Sequence, residues 1–208
     1  MMNRERVAQL LLTIQAVHLR PDNPFTWASG IQSPIYCDNR LIMGYPDVRQ
    51  EIANAFVQTI QTSYGNVDVI AGTATAGIPH AAWVAQSMEK PMIYVRSSAK
   101  GHGKQNMIEG VLRPGQKVVV IEDLISTGQS VLKVVDALRE AGADVLGVVA
   151  IFTYGLQKAV QQFEQHQTPF TTLTSYDELI PVAVREGFVT EQQVEQLKQW
   201  KHSLENRE

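Results

Sequence analysis

A chain of 208 residues and 23.1 kDa suits one domain of ordinary size, or one domain with a small appendage. With 44% apolar and 19% charged residues it has the composition of a soluble globular protein with a core, which excludes the disordered and fibrous classes. The 18 basic and 21 acidic residues leave a formal charge of −3 and a pI of about 6.0, so the chain lacks the global basic field that nonspecific nucleic-acid or anionic-membrane binding uses.

The single cysteine, Cys37, can form neither an intrachain disulfide nor a cysteine-rich zinc site. Residues 1–6 mix charges of both signs and contain no apolar stretch of signal-peptide length. The longest buried-looking run, Val145–Phe152, is far shorter than the roughly 20 residues that cross a bilayer. The expectation is a cytoplasmic, soluble protein.

In chain order, Val7, Leu10, Leu11, Ile14 and Val17 predict a helix over Arg6–Val17, ended by Pro21 and Pro24. Phe25–Asp38 reads as two short strands around a Ser-Gly turn. Pro46 opens a second helix with Val48, Ile52, Phe56 and Ile60 on one face. Val67–Ala71 predicts a strand, Gly72–Gly77 a small-residue loop, and the following residues a helix to about Met88. Pro91–Val95 is the next strand, and Arg96–Asn106 has no periodicity. Pro114-Gly115 turns into the apolar strand Val118–Ile121, a polar loop covers 122–130, and Val131, Val134, Val135 and Leu138 mark a helix that Gly142 stops. Val145–Phe152 is a further strand, and Glu191–Trp200 reads as a surface helix. Apolar runs alternating with amphipathic helices indicate a mostly parallel sheet flanked by helices, and no repeat, low-complexity tract or interdomain linker interrupts it.

Three loops carry chemistry. In the first, a buried strand ends in Glu122 and Asp123, and Leu124-Ile125-Ser126-Thr127-Gly128-Gln129-Ser130 leads into a helix. Ligands of open α/β sheets sit at the carboxyl ends of strands, and the amides of a helix N-terminus suit a phosphate. Gly128 permits close approach, while the hydroxyls of Ser126, Thr127 and Ser130 add donors. The two carboxylates would repel a phosphate, so they are expected to face sugar hydroxyls, or magnesium through water. An acidic turn before a ligand-free, N-capped helix is the plainer alternative. In the second loop, no acidic residue occurs between Glu89 and Glu109, whereas Arg96, Lys100 and Lys104 are positive and His102 can titrate. Such a loop suits a group that gains negative charge during reaction, or is simply solvated. The third loop, with Thr73, Ala74 and Thr75, lets backbone approach an anion.

The first loop resembles the phosphoribosyl-diphosphate signature of type I phosphoribosyltransferases. It has no Gly-Lys-Ser/Thr of a Walker A loop and no Gly-x-Gly-x-x-Gly of a dinucleotide fingerprint. The second is similar to the catalytic loop of orotate phosphoribosyltransferases, onto which Arg96, Lys100, His102 and Gly103 fall; Ser97 and Ser98 stand where some members carry a further lysine. The third matches the family's pyrophosphate loop in position, and Phe25–Arg40 resembles its hood segment, whose backbone near the Ser-Pro pair contacts the pyrimidine. The resemblance runs in order over roughly residues 5 to 200.

The resemblance implies one type I phosphoribosyltransferase domain over 1–208, with a core of about 46–175 and a hood formed by 1–45 and part of the C-terminal region. It implies transfer of ribose 5-phosphate from 5-phosphoribosyl 1-diphosphate to orotate. Catalytic roles fall on Arg96, Lys100, His102 and Asp123. Diphosphate-sugar binding falls on those four with Lys104, Thr73, Ala74, Thr75, Glu122, Leu124, Ile125, Ser126, Thr127, Gly128, Gln129 and Ser130, and orotate binding on Ser126, Ile35 and Tyr36. Magnesium is expected on the substrate and water, without a direct protein ligand. A homodimer is implied, with the 97–106 loop reaching the neighbouring site; no nucleic-acid or membrane partner is expected. Ala28 and Thr153-Tyr154 replace a lysine and an arginine that contact substrate in some members, leaving Arg40 or backbone amides as candidates for the orotate carboxylate. A transferase for another base, or a regulator that binds RNA or DNA with the same pocket, are the other readings; the pI speaks against the regulator.

Overall fold

The computed structural model describes residues 4–27, 30–97 and 107–205. Helix α1 (Arg4–Thr13) is shorter than its apolar spacing predicts. Gln15 takes a left-handed φ of 58°, and the Ala16 amide donates to the Leu11 carbonyl at 2.9 Å, which closes the helix before Val17. Val17 therefore enters strand β1 (Val17–Leu19). Strands β2 (Phe25–Thr26) and β3 (Gln32–Ser33) form the expected hairpin, and β4 (Ile35–Cys37) pairs back onto β1 with Val17 opposite Cys37. A 3-10 helix, Asn39–Gly44, leads into α2 (Pro46–Ser63), where Ile52, Phe56 and Ile60 are fully buried.

The remaining elements build the sheet. They are β5 (Val69–Thr73), α3 (Gly77–Met88), β6 (Met92–Val95), β7 (Ile108–Glu109), β8 (Lys117–Ile125), α4 (Gln129–Glu140), β9 (Asp144–Thr153), α5 (Gln157–Gln165), β10 (Phe170–Ser175), α6 (Tyr176–Arg185) and α7 (Glu191–Glu205). The strand order is β10-β9-β8-β5-β6-β7, parallel throughout except for the β6–β7 pair. Side chains alternate between the faces of a strand, and both faces are covered. Ile70, Val119, Ile121, Val149 and Ile151 pack against α1, α2, α3 and α6, while Val69, Ala71, Val118, Val120 and Val148 pack against α4 and α5.

Two boundaries differ from the sequence expectation in ways that shape the site. Gly72 and Thr73 lie on β5, because Gly72 pairs with Tyr94 and Ile121, and Thr73 with Val95. Glu122–Ile125 lie on β8, not in a loop, because Glu122, Leu124 and Ile125 pair with Ala150, Phe152 and Thr153. Ladder bonds from a long neighbouring strand override the polarity that suggested a turn. Among the described residues no helix is long and apolar enough to cross a membrane.

Candidate active site

From β5 the chain steps to β6 on one side and from β8 to β9 on the other, so the order reverses between β5 and β8. In an open parallel sheet the crevice beyond the carboxyl ends of such a pair is where ligands bind. The Thr73–Ala76 and Glu122–Gly128 segments leave the sheet there side by side. The Thr73 hydroxyl donates to the Ile121 carbonyl at 3.1 Å. A Cβ at Gly77 would lie 2.6 Å from the Ile121 oxygen, so α3 starts against β8 only because residue 77 has no side chain. The Ala74 amide donates to the Val95 carbonyl at 2.9 Å, and the Ala74–Thr75 peptide bond is cis.

Helix α4 starts at Gly128, whose φ is 85° and where a Cβ would lie 2.8 Å from the Phe163 ring. No side chain caps this helix. Its first amides are therefore available to an anion at the end of β8. Glu122, 8% exposed, accepts the Asp123 amide at 2.9 Å. Burial, and then its contact with the Asp123 carboxylate, raise its pKa from 4.5 to about 8. Asp123 beside it is more open. The two adjacent acidic side chains fit a magnesium ion held through water; among the described residues no three His, Cys, Asp or Glu converge to cage one.

The ends of three strands share one cavity of about 350 Å³, where Ala74, Arg96, Ser97, Thr127, Gln129 and Ser130 meet, with Lys133 as an additional cation. Arg96 lies 3.7 Å from Glu109, and its Nη1 is buried without a hydrogen-bond partner among the described residues. A second cavity, of about 530 Å³, lies on the other side of Thr127, between Ser126 and the hood residues Trp27 and Ile31. The hood is tied to β8 by Asn39, which donates to the Asp123 carbonyl at 2.8 Å.

The structure thus brings Thr73, Ala74, Arg96, Glu122, Asp123, Ser126, Thr127, Gln129 and Ser130 to one edge of the sheet. Leu124 and Ile125 lie on β8, and Thr75 lies in the turn before α3. Ile35 is fully buried, with its carbonyl accepting from Trp27 and Ser33. Tyr36 is exposed and packs on Phe25 at 5.7 Å. Neither lines the cavity beside Ser126. Lys100, His102, Lys104 and Ala28 lie outside the described residues. Asn39 and Lys133 have no motif around them to mark them; only the tertiary fold carries them to these loops.

The pattern described as "Phosphoribosyl transferase domain" matches residues 44–182. This chain belongs to the phosphoribosyltransferase family. A protein of Listeria monocytogenes named "Orotate phosphoribosyltransferase" is 61% identical over 202 residues, 97% of each chain. Orotate phosphoribosyltransferases are the branch of the family in which it falls. The crystal structure of orotate phosphoribosyltransferase from Aeropyrum pernix is 27% identical with a TM-score of 0.76, covering 88% of this chain and 99% of that one. The structure of Leishmania donovani UMP synthase is 28% identical with a TM-score of 0.81 over 96% of this chain, which spans 42% of that longer protein.

Proposed function

We propose that this chain transfers the 5-phosphoribosyl group of 5-phosphoribosyl 1-diphosphate to orotate, giving orotidine 5′-monophosphate and diphosphate, a step of pyrimidine nucleotide synthesis. The observation that carries the reading is the meeting of three strand ends around the uncapped start of α4, in a chain 61% identical to a protein of that name. The hood, residues 1–45 with the C-terminal helix, covers one domain whose core spans about 46–175.

In this reading the anomeric carbon–oxygen bond to the diphosphate breaks as the orotate ring nitrogen bonds the same carbon. Positive charge builds on the ribose, and negative charge grows on the departing group. The α4 amides with Thr127 and Ser130 hold the 5′-phosphate, and Glu122 and Asp123 fix the ribose hydroxyls. Ser126 meets the base. Thr73–Thr75, Arg96, Lys100 and Lys104 take the diphosphate, and His102 donates a hydrogen bond or proton to it. Magnesium bound to the diphosphate, with Asp123 as its nearest carboxylate through water, would neutralise part of that charge. The 97–106 loop completes the site of a neighbouring copy in a homodimer, and the setting is the cytoplasm.

The test follows orotate loss by ultraviolet absorbance with phosphoribosyl diphosphate and magnesium, beside uracil, hypoxanthine and adenine. Magnesium-dependent loss of orotate alone is expected. Turnover of another base would overturn the assignment of the hood, and no turnover of any base would overturn the activity.

A further inference from the structure

A phosphate monoester carries about −1.5 to −2 charges at neutral pH. The α4 amides, Thr127 and Ser130, to which the 5′-phosphate falls in the function proposed above, are all uncharged donors. Lys133 follows Gln129 by four residues and Ser130 by three, so one face of α4 carries all three to the cavity of about 350 Å³. Arg96 and Lys133 are the charged side chains of that lining, and no acidic side chain belongs to it among the described residues. The two cations differ in their surroundings. Arg96, at the end of β6, lies 3.7 Å from Glu109. Lys133 makes no ion pair or side-chain hydrogen bond among the described residues, and Asp136, on the next turn of α4, sits 3.8 Å from His166 instead.

Resting on that function, we propose that Lys133 is the cation for the 5′-phosphate, binding the phosphoryl group that the sugar substrate and the nucleotide product share. It contributes charge where the helix amides contribute direction. The 5′-phosphate keeps its charge throughout the reaction, whereas the diphosphate gains charge as it leaves. A cation on the first holds substrate, transition state and product alike, and so governs affinity without lowering the barrier. A cation on the second, the place given to Arg96, lowers the barrier itself. The two positive groups of one cavity thereby divide the work between binding and turnover.

Orotidine 5′-monophosphate carries the 5′-phosphate and inorganic diphosphate does not, so the two ligands separate the roles. Titration calorimetry on the full chain is expected to show nucleotide affinity falling roughly tenfold in Lys133→Met and largely restored in Lys133→Arg, with diphosphate affinity unchanged in both. In turnover, Lys133→Met raises the KM for phosphoribosyl diphosphate by a similar factor and moves kcat far less. Lys133 is exposed on α4, so the variant is expected to fold, and an unshifted thermal midpoint checks that it has. Unchanged nucleotide affinity in folded Lys133→Met overturns the proposal. So does a loss confined to diphosphate, or a fall in kcat as large as that of Arg96→Ala, either of which puts the lysine on the leaving group. A wild-type chain that binds neither ligand and consumes no orotate overturns the parent function instead, an outcome distinct from all of these.

Discussion

Glu122 and His80 hold opposite ends of the pH range. Glu122 is raised to about 8 by burial, so the folded state keeps a proton that the unfolded chain releases near 4.5. Its contribution to stability is complete below pH 4.5 and is lost as pH rises through about 8. His80 is 1% exposed between Phe56 and Trp83, and burial lowers it from 6.5 to about 4. The fold needs it neutral, so its contribution is complete above pH 6.5 and is lost as pH falls toward 4. Thermal midpoints of the ligand-free protein between pH 4 and 9 should show Glu122→Gln flattening the alkaline side and His80→Met the acid side. Parallel profiles for wild type and variants would contradict both. Gly128→Ala forces a methyl group onto the Phe163 ring at a left-handed backbone angle, and should cost about 2 kcal/mol of stability. It should also raise the KM for phosphoribosyl diphosphate more than that for orotate.

The elements at the carboxyl edge of the sheet bring strand ends and the start of α4 together. Arg96 stands at the end of β6, next to the uncapped start of α4. Arg96→Ala should lower kcat about a hundredfold, with a much smaller change in the affinity for orotate. Comparable losses in both would remove Arg96 from the leaving-group side. Elements such as β8, β9 and α4 could be read from the sequence because valine-rich runs and a single helical face dictate them. The Glu122-Asp123 and Ser126–Ser130 order likewise points to the candidate site. Other elements gave no such signal. Strand β10 is rich in threonine; α5 buries only Ala159 and Phe163 among glutamines; and α6 carries Pro181. Their form comes from neighbours: β10 from the β9 ladder, and α6 from the buried Tyr176, Leu179 and Val182. The reach of Glu122–Ile125 along β8 depends on register with β9, a pairing between residues distant in sequence. Asn39 is opaque for the same reason.

Across the whole molecule, α7 straps the hood to the sheet. Trp200 packs on Trp27, Tyr154 and Tyr176, and its indole donates to the Gln32 carbonyl at 3.0 Å; Gln193 reaches Asp22. Trp200→Ala should cost about 3 kcal/mol in urea unfolding and loosen orotate binding before phosphoribosyl-diphosphate binding. Equal effects on the two substrates would argue that the strap serves stability alone. The proposed dimer has its own check. Mixing Lys100→Ala with Asp123→Ala chains should restore activity that neither variant has, because one hybrid site per pair would be intact; no recovery after subunit exchange would count against a shared site.

The aromatic clasp has an optical consequence. Of the chain's three tryptophans, Trp27 and Trp200 lie 5.8 Å apart in this cluster, while Trp83 packs elsewhere, beneath Arg49 at 5.2 Å. The protein therefore carries a coupled pair of indoles, of which Trp27 lines the cavity beside Ser126, and a third that lies apart from it. In a Trp83→Phe chain all the emission comes from the pair, and the arrival of a ring beside Trp27 becomes visible as quenching, without a label.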